Sequence, residues 1–427
     1  MAERSTMFRL DSRPTACSTT ITIAAATLLG LGVVMVFSAS ASLTAPAITE
    51  RPLQNSSVRQ AAYTFVAMVA LLMVGLCPYE SWRIRGKSLV QPSIFLLLLT
   101  IGLLAVVLVP GIGEERNGAR RWLSLGPMAM GLGFQPSEVA KLALTVFLAA
   151  FCSHWGERMR RFWTGFLPAI VILGIVVGLV GVEDFGTGAL LALVGGCVLL
   201  GAGARIWHLM LAALPAVGGL VYLIILKPYR LERLVSFLNP EADPQGAGYH
   251  QIQSLLTIVS GGWWGRGLGA GIQKYGYLPE GRTDFIFALI CEELGIIGGG
   301  AVITLFGVLL WQGKRAMDSS TTEFGRLLAL GASLTISLQA AMNVAVVTVS
   351  IPTKGISLPL VSAGGTGVIF FSILVGLLVN VARARTPATE GDGRCGLSNS
   401  RSGTASSEAS SQETGVLPLM PSNVRPA

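Results

Sequence analysis

Between Asn239 and Ser254 the chain reads NPEADPQGAGYHQIQS, a long polar passage among runs of Leu, Val, Ile, Ala and Gly. Within it Asp243 stands before Pro244, near the start of an apolar-periodic segment. A carboxylate there is either a turn former or cap, its commoner role, or an acid–base group. Other ionisable residues cluster where apolar stretches begin or end. QPSEVAKL sets Glu138 and Lys141 at i and i+3, with Gln135 and Ser137 just ahead. VEDFGTG brings Glu183 and Asp184, and LPEGRTDFIFALICEELG carries Glu280, Asp284, Glu292 and Glu293. Ionisable groups in an apolar span default to a functional role, the structural alternative being an internal ion pair.

The cations are also grouped. Arg116, Arg120 and Arg121 share one loop, and Lys227, Arg230, Arg233, Arg266, Lys274 and Arg282 lie in or beside a long one. Counted over alternate loops, basic residues are nearly balanced between the two sides. Orientation by positive charge alone would leave an excess on the cytoplasmic side. This distribution points to an anionic ligand at one membrane face, the alternative being contact with lipid headgroups.

The elements that position these residues are membrane helices. Hydrophobic residues make up 52% and charged residues 13% of the 427, about half the charge of a typical soluble domain. Ten apolar windows, near 20–41, 60–77, 89–110, 137–153, 164–181, 186–203, 207–226, 284–311, 327–348 and 357–382, predict an all-α polytopic membrane protein. Trp82, Trp122, Trp155, Trp163, Trp207, Trp263, Trp264 and Trp311 fall in loops or at window ends, as interfacial rings do. The first window, following Arg4, Arg9 and Arg13, is long for a cleaved signal peptide and reads as an uncleaved helix. Ile252, Leu255, Leu256, Ile258 and Val259 recur opposite Gln251, Ser254 and Thr257, predicting an amphipathic helix at or dipping into the interface. GGWWGRGLGAG, from Gly261 to Gly271, fits a tight re-entrant turn. From about Thr386 the composition predicts a disordered tail.

Several chemistries are excluded. There is no GxxxxGK[ST] phosphate loop and no HExxH, the glycine run GGWWGRGLGAG lacks a true GxGxxG, and the three histidines are far apart. The six cysteines form no CxxC and imply neither a disulfide framework nor a zinc site.

Taken together, NGARRWLSLG, FQPSEVAKL, NPEADPQGAGYHQIQS, SGGWWGRGLG, QKYGYLPEGRTDFIFALICEELG and IPTKGISLPLVSAGGTG resemble the SEDS family (shape, elongation, division and sporulation) in order and spacing from Thr20 to Val381. PTKG at Pro352–Gly355 resembles the division and sporulation types, FtsW and SpoVE, more than the elongation type, RodA. The resemblance implies a cytoplasmic segment 1–19, a ten-helix membrane domain 20–385 with a large extracytoplasmic loop 227–283, and a cytoplasmic tail 386–427. It further implies a peptidoglycan glycosyltransferase that polymerises lipid II, the undecaprenyl-diphosphate-linked disaccharide peptide. Such an enzyme works in the bacterial inner membrane at the division septum, beside a class B penicillin-binding transpeptidase and other division proteins, with no nucleic acid.

By the same resemblance Asp243 matches the essential aspartate of the family's DPxGxGY motif and is the expected general base of an inverting transfer. Arg120, Arg121, Lys274 or a divalent ion such as Mg²⁺ or Mn²⁺ would hold the diphosphates. Gln135, Ser137, Glu138, Lys141, Glu280, Asp284 and Ser362 complete the expected substrate-binding set. Two positions depart from the pattern: Arg282 stands where His is usual and Ala363 where an aromatic is. A lipid II flippase would also need intramembrane charges, and a non-catalytic division scaffold is a third alternative. The placement of Asp243 in a loop argues against the first, and the cost of buried charge against the second.

A topology prediction follows from the ten windows. A reporter fused after Arg160 reads cytoplasmic and one near Gln245 extracytoplasmic; both on one side would contradict the ten-span arrangement.

Overall fold

The structure, a computed structural model, describes residues 15–40, 56–84, 91–116, 119–124, 133–225, 233, 235–246 and 248–384. The expected tail at 386–427, Lys227 and Arg230 lie outside the described residues. Every apolar window contains a helix, the last of them only from Gly365 onward because 357–364 is irregular: α1 Ala16–Ser40, α2 Ser56–Leu76, α3 Pro92–Leu108, α4 Pro136–Trp155, α5 Leu167–Gly181, α6 Phe185–Gly201, α7 Ile206–Ile225, α9 Ile286–Ser319, α10 Glu323–Val347 and α11 Gly365–Arg383. Between α7 and α9 lies α8, Tyr249–Gly261. Among the described residues seven helices are long and apolar enough to cross a membrane, and three shorter apolar ones are Pro92–Leu108, Phe185–Gly201 and Ile206–Gly219.

Helix starts follow local chemistry. Proline occupies the first turn of α3 and α4, where no N–H is needed. Asp184 caps α6 by accepting from the Thr187 N–H, and Thr322 caps α10 by accepting from the Gly325 N–H. The bundle is centred on α4, buried almost without interruption from Pro136 to Ala150 and packed by α3, α6 and α10. α11 closes the other side against α2 and α1.

Two features differ from the sequence expectation. The loop carrying Arg120 and Arg121 is an antiparallel sheet of β1 Gly113–Arg116, β2 Ala119–Ser124 and β3 Gly133–Phe134, in the order β1-β2-β3. Strands this short and charged show no apolar alternation. Trp311 lies inside α9, which continues to Ser319, rather than at a helix end. The amphipathic helix α8 has the interfacial orientation expected of it, apolar side out: Gln251, Ser254 and Thr257 are buried, Ser254 donating to the Val347 carbonyl at 2.7 Å, while Leu255, Leu256 and Val259 face outward. Lipid on the outside reverses the usual rule for which face a helix buries.

The glycine-rich turn has a specific partner. α9 is broken at Gly295, whose φ of 72° and ψ of −177° are not helical. The backbone after α8 fills the break: Arg266 and Gly267 N–H donate to the Glu292 and Glu293 carbonyls at 3.0 Å, and Ile296 N–H donates to the Gly262 carbonyl at 2.9 Å. A Cβ at Gly295 would fall on the Trp263 carbonyl and the Gly265 N–H, whereas one at Gly300, in the same helix, meets nothing within 4 Å. Gly295→Ala is therefore expected to cost about 1–3 kcal/mol through backbone strain alone, before the clash. Gly300→Ala leaves stability unchanged or raised. Thermal unfolding in detergent checks the pair, and equal shifts would contradict the filled break.

Candidate functional site

Charged side chains converge where β2, the start of α6 and the loop ahead of α9 meet. The Asp184 carboxylate accepts from the Thr187 N–H at 3.1 Å and the Thr187 hydroxyl at 2.9 Å. Arg121 donates its Nε to the Glu183 carbonyl at 2.9 Å and places Nη1 3.7 Å from Asp184 Oδ2. Its neighbour Arg120 donates its backbone N–H to the Glu183 carboxylate at 3.0 Å, and its guanidinium lies 3.4 Å from Glu115 on β1. Both guanidinium groups keep part of their surface open.

Asp284, in the loop that precedes α9, faces the same group. Burial and the nearby carboxylates of Glu280 and Asp184 push its pKa up to about 7, against the opposing pull of Arg121 and Arg233. Glu280 holds that loop with a left-handed φ of 54°, its carbonyl accepting from the Thr283, Asp284 and Phe285 N–H groups. Ser362 bonds across to the same loop: its hydroxyl donates to the Thr283 carbonyl and accepts from the Leu358 N–H, both at 2.7 Å. Asn343 on α10 donates to the Asp284 and Ile356 carbonyls, each at 2.7 Å. Ser362 therefore positions two irregular segments. The Arg282 and Ala363 positions, which depart from the family pattern, meet here, Ala363 N–H donating to the Arg282 carbonyl at 2.9 Å.

Asp243 is exposed and ends the short turn Pro240–Ala242. Its carboxylate accepts from the Gly246 N–H at 3.0 Å and its carbonyl from the Gly248 N–H at 3.1 Å, a compact Asx-type turn leading into α8. Tyr249 donates its hydroxyl to the Tyr277 carbonyl at 2.8 Å, and the His250 ring stacks on Phe285 with centroids 6.0 Å apart. Burial and Arg233 hold the His250 pKa below its ordinary value, with Glu280 pulling the other way. The Asp243 turn is thus tied through His250 to the residue beside Asp284.

The structure separates other expected site residues from this cluster. Glu138 and Lys141 form an internal ion pair at 2.7 Å, the structural alternative for that motif. Lys141 also donates to Gln339 at 2.8 Å, and Gln339 donates to the Ser357 carbonyl at 2.9 Å. Ser137 Oγ and Glu138 Oε2 are buried beside this chain of bonds without a hydrogen-bond partner, and Gln135 is the cap position of α4. Lys274 does not offer its charge outward as expected: nearly fully buried, its ammonium lies 3.1 Å from Glu293 and 3.2 Å from Ser38 Oγ and donates to the Gly269 carbonyl at 2.5 Å. Its length lets it reach back to a buried carboxylate, which sequence spacing does not reveal. Among the described residues no group of three or more His, Cys, Asp or Glu is placed to hold a metal ion. Lys354, half-buried beside Asp184, was not singled out from the sequence; its only signal was its place in PTKG.

The family profile for FtsW, RodA and SpoVE, described as cell cycle proteins, matches residues 19–387. The chain is a member of this family. It is 39% identical to stage V sporulation protein E of Bacillus subtilis (strain 168) over 362 residues, covering 83% of this chain and 94% of that one. It is also 39% identical to the probable peptidoglycan glycosyltransferase FtsW of Thioalkalivibrio sulfidiphilus over 370 residues, covering 85% and 88%. A chain of a solved peptidoglycan synthase complex, described as coordinating polymerization and crosslinking, superposes with a TM-score of 0.66 at 27% identity, covering 85% of this chain and 96% of that one. Family membership and the apolar helices make this a multi-pass inner-membrane protein.

The raised Asp284 pKa has a stability consequence of defined sign. Its carboxyl is protonated more readily when folded than at the ordinary value of 3.8, so its contribution is complete below pH 3.8 and is lost as pH rises through about 7. Asp284→Asn, which does not titrate, is expected to gain thermal stability relative to the parent as pH is raised from 5 to 8. A pH-independent offset between the two melting curves would show that Asp284 is not held in this way.

Proposed function

We propose that this protein is a peptidoglycan glycosyltransferase that polymerises lipid II during cell division, at the septum and beside a class B penicillin-binding transpeptidase. The observation that carries this reading is the pairing of a DPxGxGY turn with a cluster of Arg120, Arg121, Asp184 and Asp284 at one end of an apolar bundle. The polyprenyl tail stays in lipid while the sugar diphosphate reaches the charged cluster.

The acceptor sugar's 4-hydroxyl attacks the anomeric carbon of the donor, the bond to the diphosphate breaks, and configuration inverts. Asp243, exposed and held at the edge of its turn, takes the hydroxyl proton. Arg120 and Arg121 neutralise the diphosphate that leaves. A Mg²⁺ or Mn²⁺ ion arriving with the diphosphate would need only one or two protein carboxylates, and Asp284, beside the Arg121–Asp184 pair, would be the residue to meet it. The same intramembrane charges suit a flippase, but Glu138 and Lys141 neutralise each other inside the bundle.

Asp243→Asn keeps the size of the side chain and its acceptor for the Gly246 N–H, and removes the proton-accepting charge. Glycan polymerisation by the purified variant with its partner is expected to fall at least about 10²-fold, the lower end of general-base contributions, with folding and partner binding unchanged. Polymerisation at the parent rate would make Asp243 a turn residue only; a parent that never polymerises lipid II would favour transport.

A further inference from the structure

The segment between α10 and α11 passes through the charged cluster, and two glycines make room for it. At Gly186, in the first turn of α6, a Cβ would come within 3.1 Å of Lys354 Cδ. At Gly355 a Cβ would lie 3.1 Å from Asp284 Oδ2 and 3.7 Å from Arg121 Nη1. The chain therefore delivers Lys354 to the start of α6 while its own backbone runs beside Arg121 and Asp284.

Among the described residues the ammonium group of this half-buried lysine has no ion-pair or hydrogen-bond partner in the cluster. It lies 4.5 Å over the Phe185 ring, a contact that engages one face of the cation and none of its three donors as a hydrogen bond. Among the described residues no carboxylate forms an ion pair with it and no acceptor takes a hydrogen bond from it. The acid it senses is Asp184, whose oxygens already serve Thr187 and Arg121. Burial accordingly lowers the Lys354 pKa despite that neighbour. Lys141 and Lys274, whose side chains are far more deeply buried than that of Lys354, each have a carboxylate within about 3 Å. A partly desolvated ammonium with open donors is costly unless an anion arrives to meet it.

We infer that Lys354 and Arg121 together form the seat for a phosphoryl group, Lys354 supplying the point charge and Arg121 the planar fork, and that the anion is the diphosphate of the sugar donor. This rests on the glycosyltransferase reading for the identity of the anion. Lysine suits the role because its three donors rotate to follow oxygens whose charge grows as the sugar–phosphate bond breaks. The alternative source of the same chemistry is a phospholipid headgroup.

The test measures binding of inorganic pyrophosphate to the purified full-length protein by calorimetry, in nanodiscs of phosphatidylcholine alone and with phosphatidylglycerol added. Lys354→Met keeps the apolar stem beside Phe185 and Gly186, and Lys354→Arg keeps the charge. The parent binds pyrophosphate in both discs. The Met variant binds about 10- to 100-fold more weakly, as for a lost charge-assisted hydrogen bond, and the Arg variant recovers most of the difference. In polymerisation assays kcat/KM for lipid II falls over the same range in the Met variant. Equal affinity of parent and Met variant, or a parent that does not bind pyrophosphate, overturns the assignment. A difference confined to phosphatidylglycerol discs also overturns it, in favour of a headgroup site. A Met variant that melts lower yet binds normally makes Lys354 a packing residue and overturns it as well. If the parent binds pyrophosphate through Lys354 but does not polymerise lipid II, the phosphoryl seat stands and the glycosyltransferase reading fails.

Discussion

A buried break in a lipid-facing helix has to be closed by protein, because lipid offers no hydrogen bonds. In α9 the closure at Gly295 falls to the backbone after α8, and the two carboxylates just before the break extend it. Glu292 accepts from the Ile272 N–H at 2.8 Å and the Gln273 N–H at 3.3 Å. Glu293 accepts from Ser38 on α1 at 2.6 Å, from the Gly269 N–H at 3.0 Å and from Lys274. The loop from Gly262 to Lys274 has no ladder of its own and takes its shape from these acceptors. The same half of α9 begins two residues after Asp284, so the break fixes the glycine-rich loop and the charged cluster to one foundation.

The other buried charges work in the same way. The Glu138–Lys141 pair reaches Ser357 through Gln339, and Asn343 ties Ile356 to Asp284. Ser362 closes the same segment against Thr283. Polar side chains on α4 and α10 therefore act as the hydrogen-bonding partners that an irregular stretch of backbone needs inside a bundle. Their presence in apolar helices is explained by what they hold, with the partly open cations Arg120 and Arg121 left to the sheet.

Helix placement was legible because span length and hydropathy are set by the bilayer, and each apolar window contains a helix. The Asp243 turn and Arg120–Arg121 stand out from the apolar background by residue type, and the structure leaves the carboxylate exposed and both guanidinium groups partly open. Spacing along the chain did not say which cations are neutralised internally. Lys274 and Arg121 look alike in sequence, yet one reaches a carboxylate on a helix and the other stays partly open. Lys354 was missed for the converse reason, since only tertiary contacts show that its neighbours have no acceptor to spare. The orientation of α8 was legible as well, since an interfacial amphipathic helix turns its apolar face to lipid.

That orientation sets the altitude of the Asp243 turn. A helix whose greasy side looks outward floats at a fixed depth, like a hull at its waterline, and the Asp243 turn is moored at its N-terminal end. The donor is also tethered, its sugar one diphosphate away from a chain dissolved in the same bilayer. Both reactants are then levelled against a common plane, so encounter is a search in two dimensions rather than three.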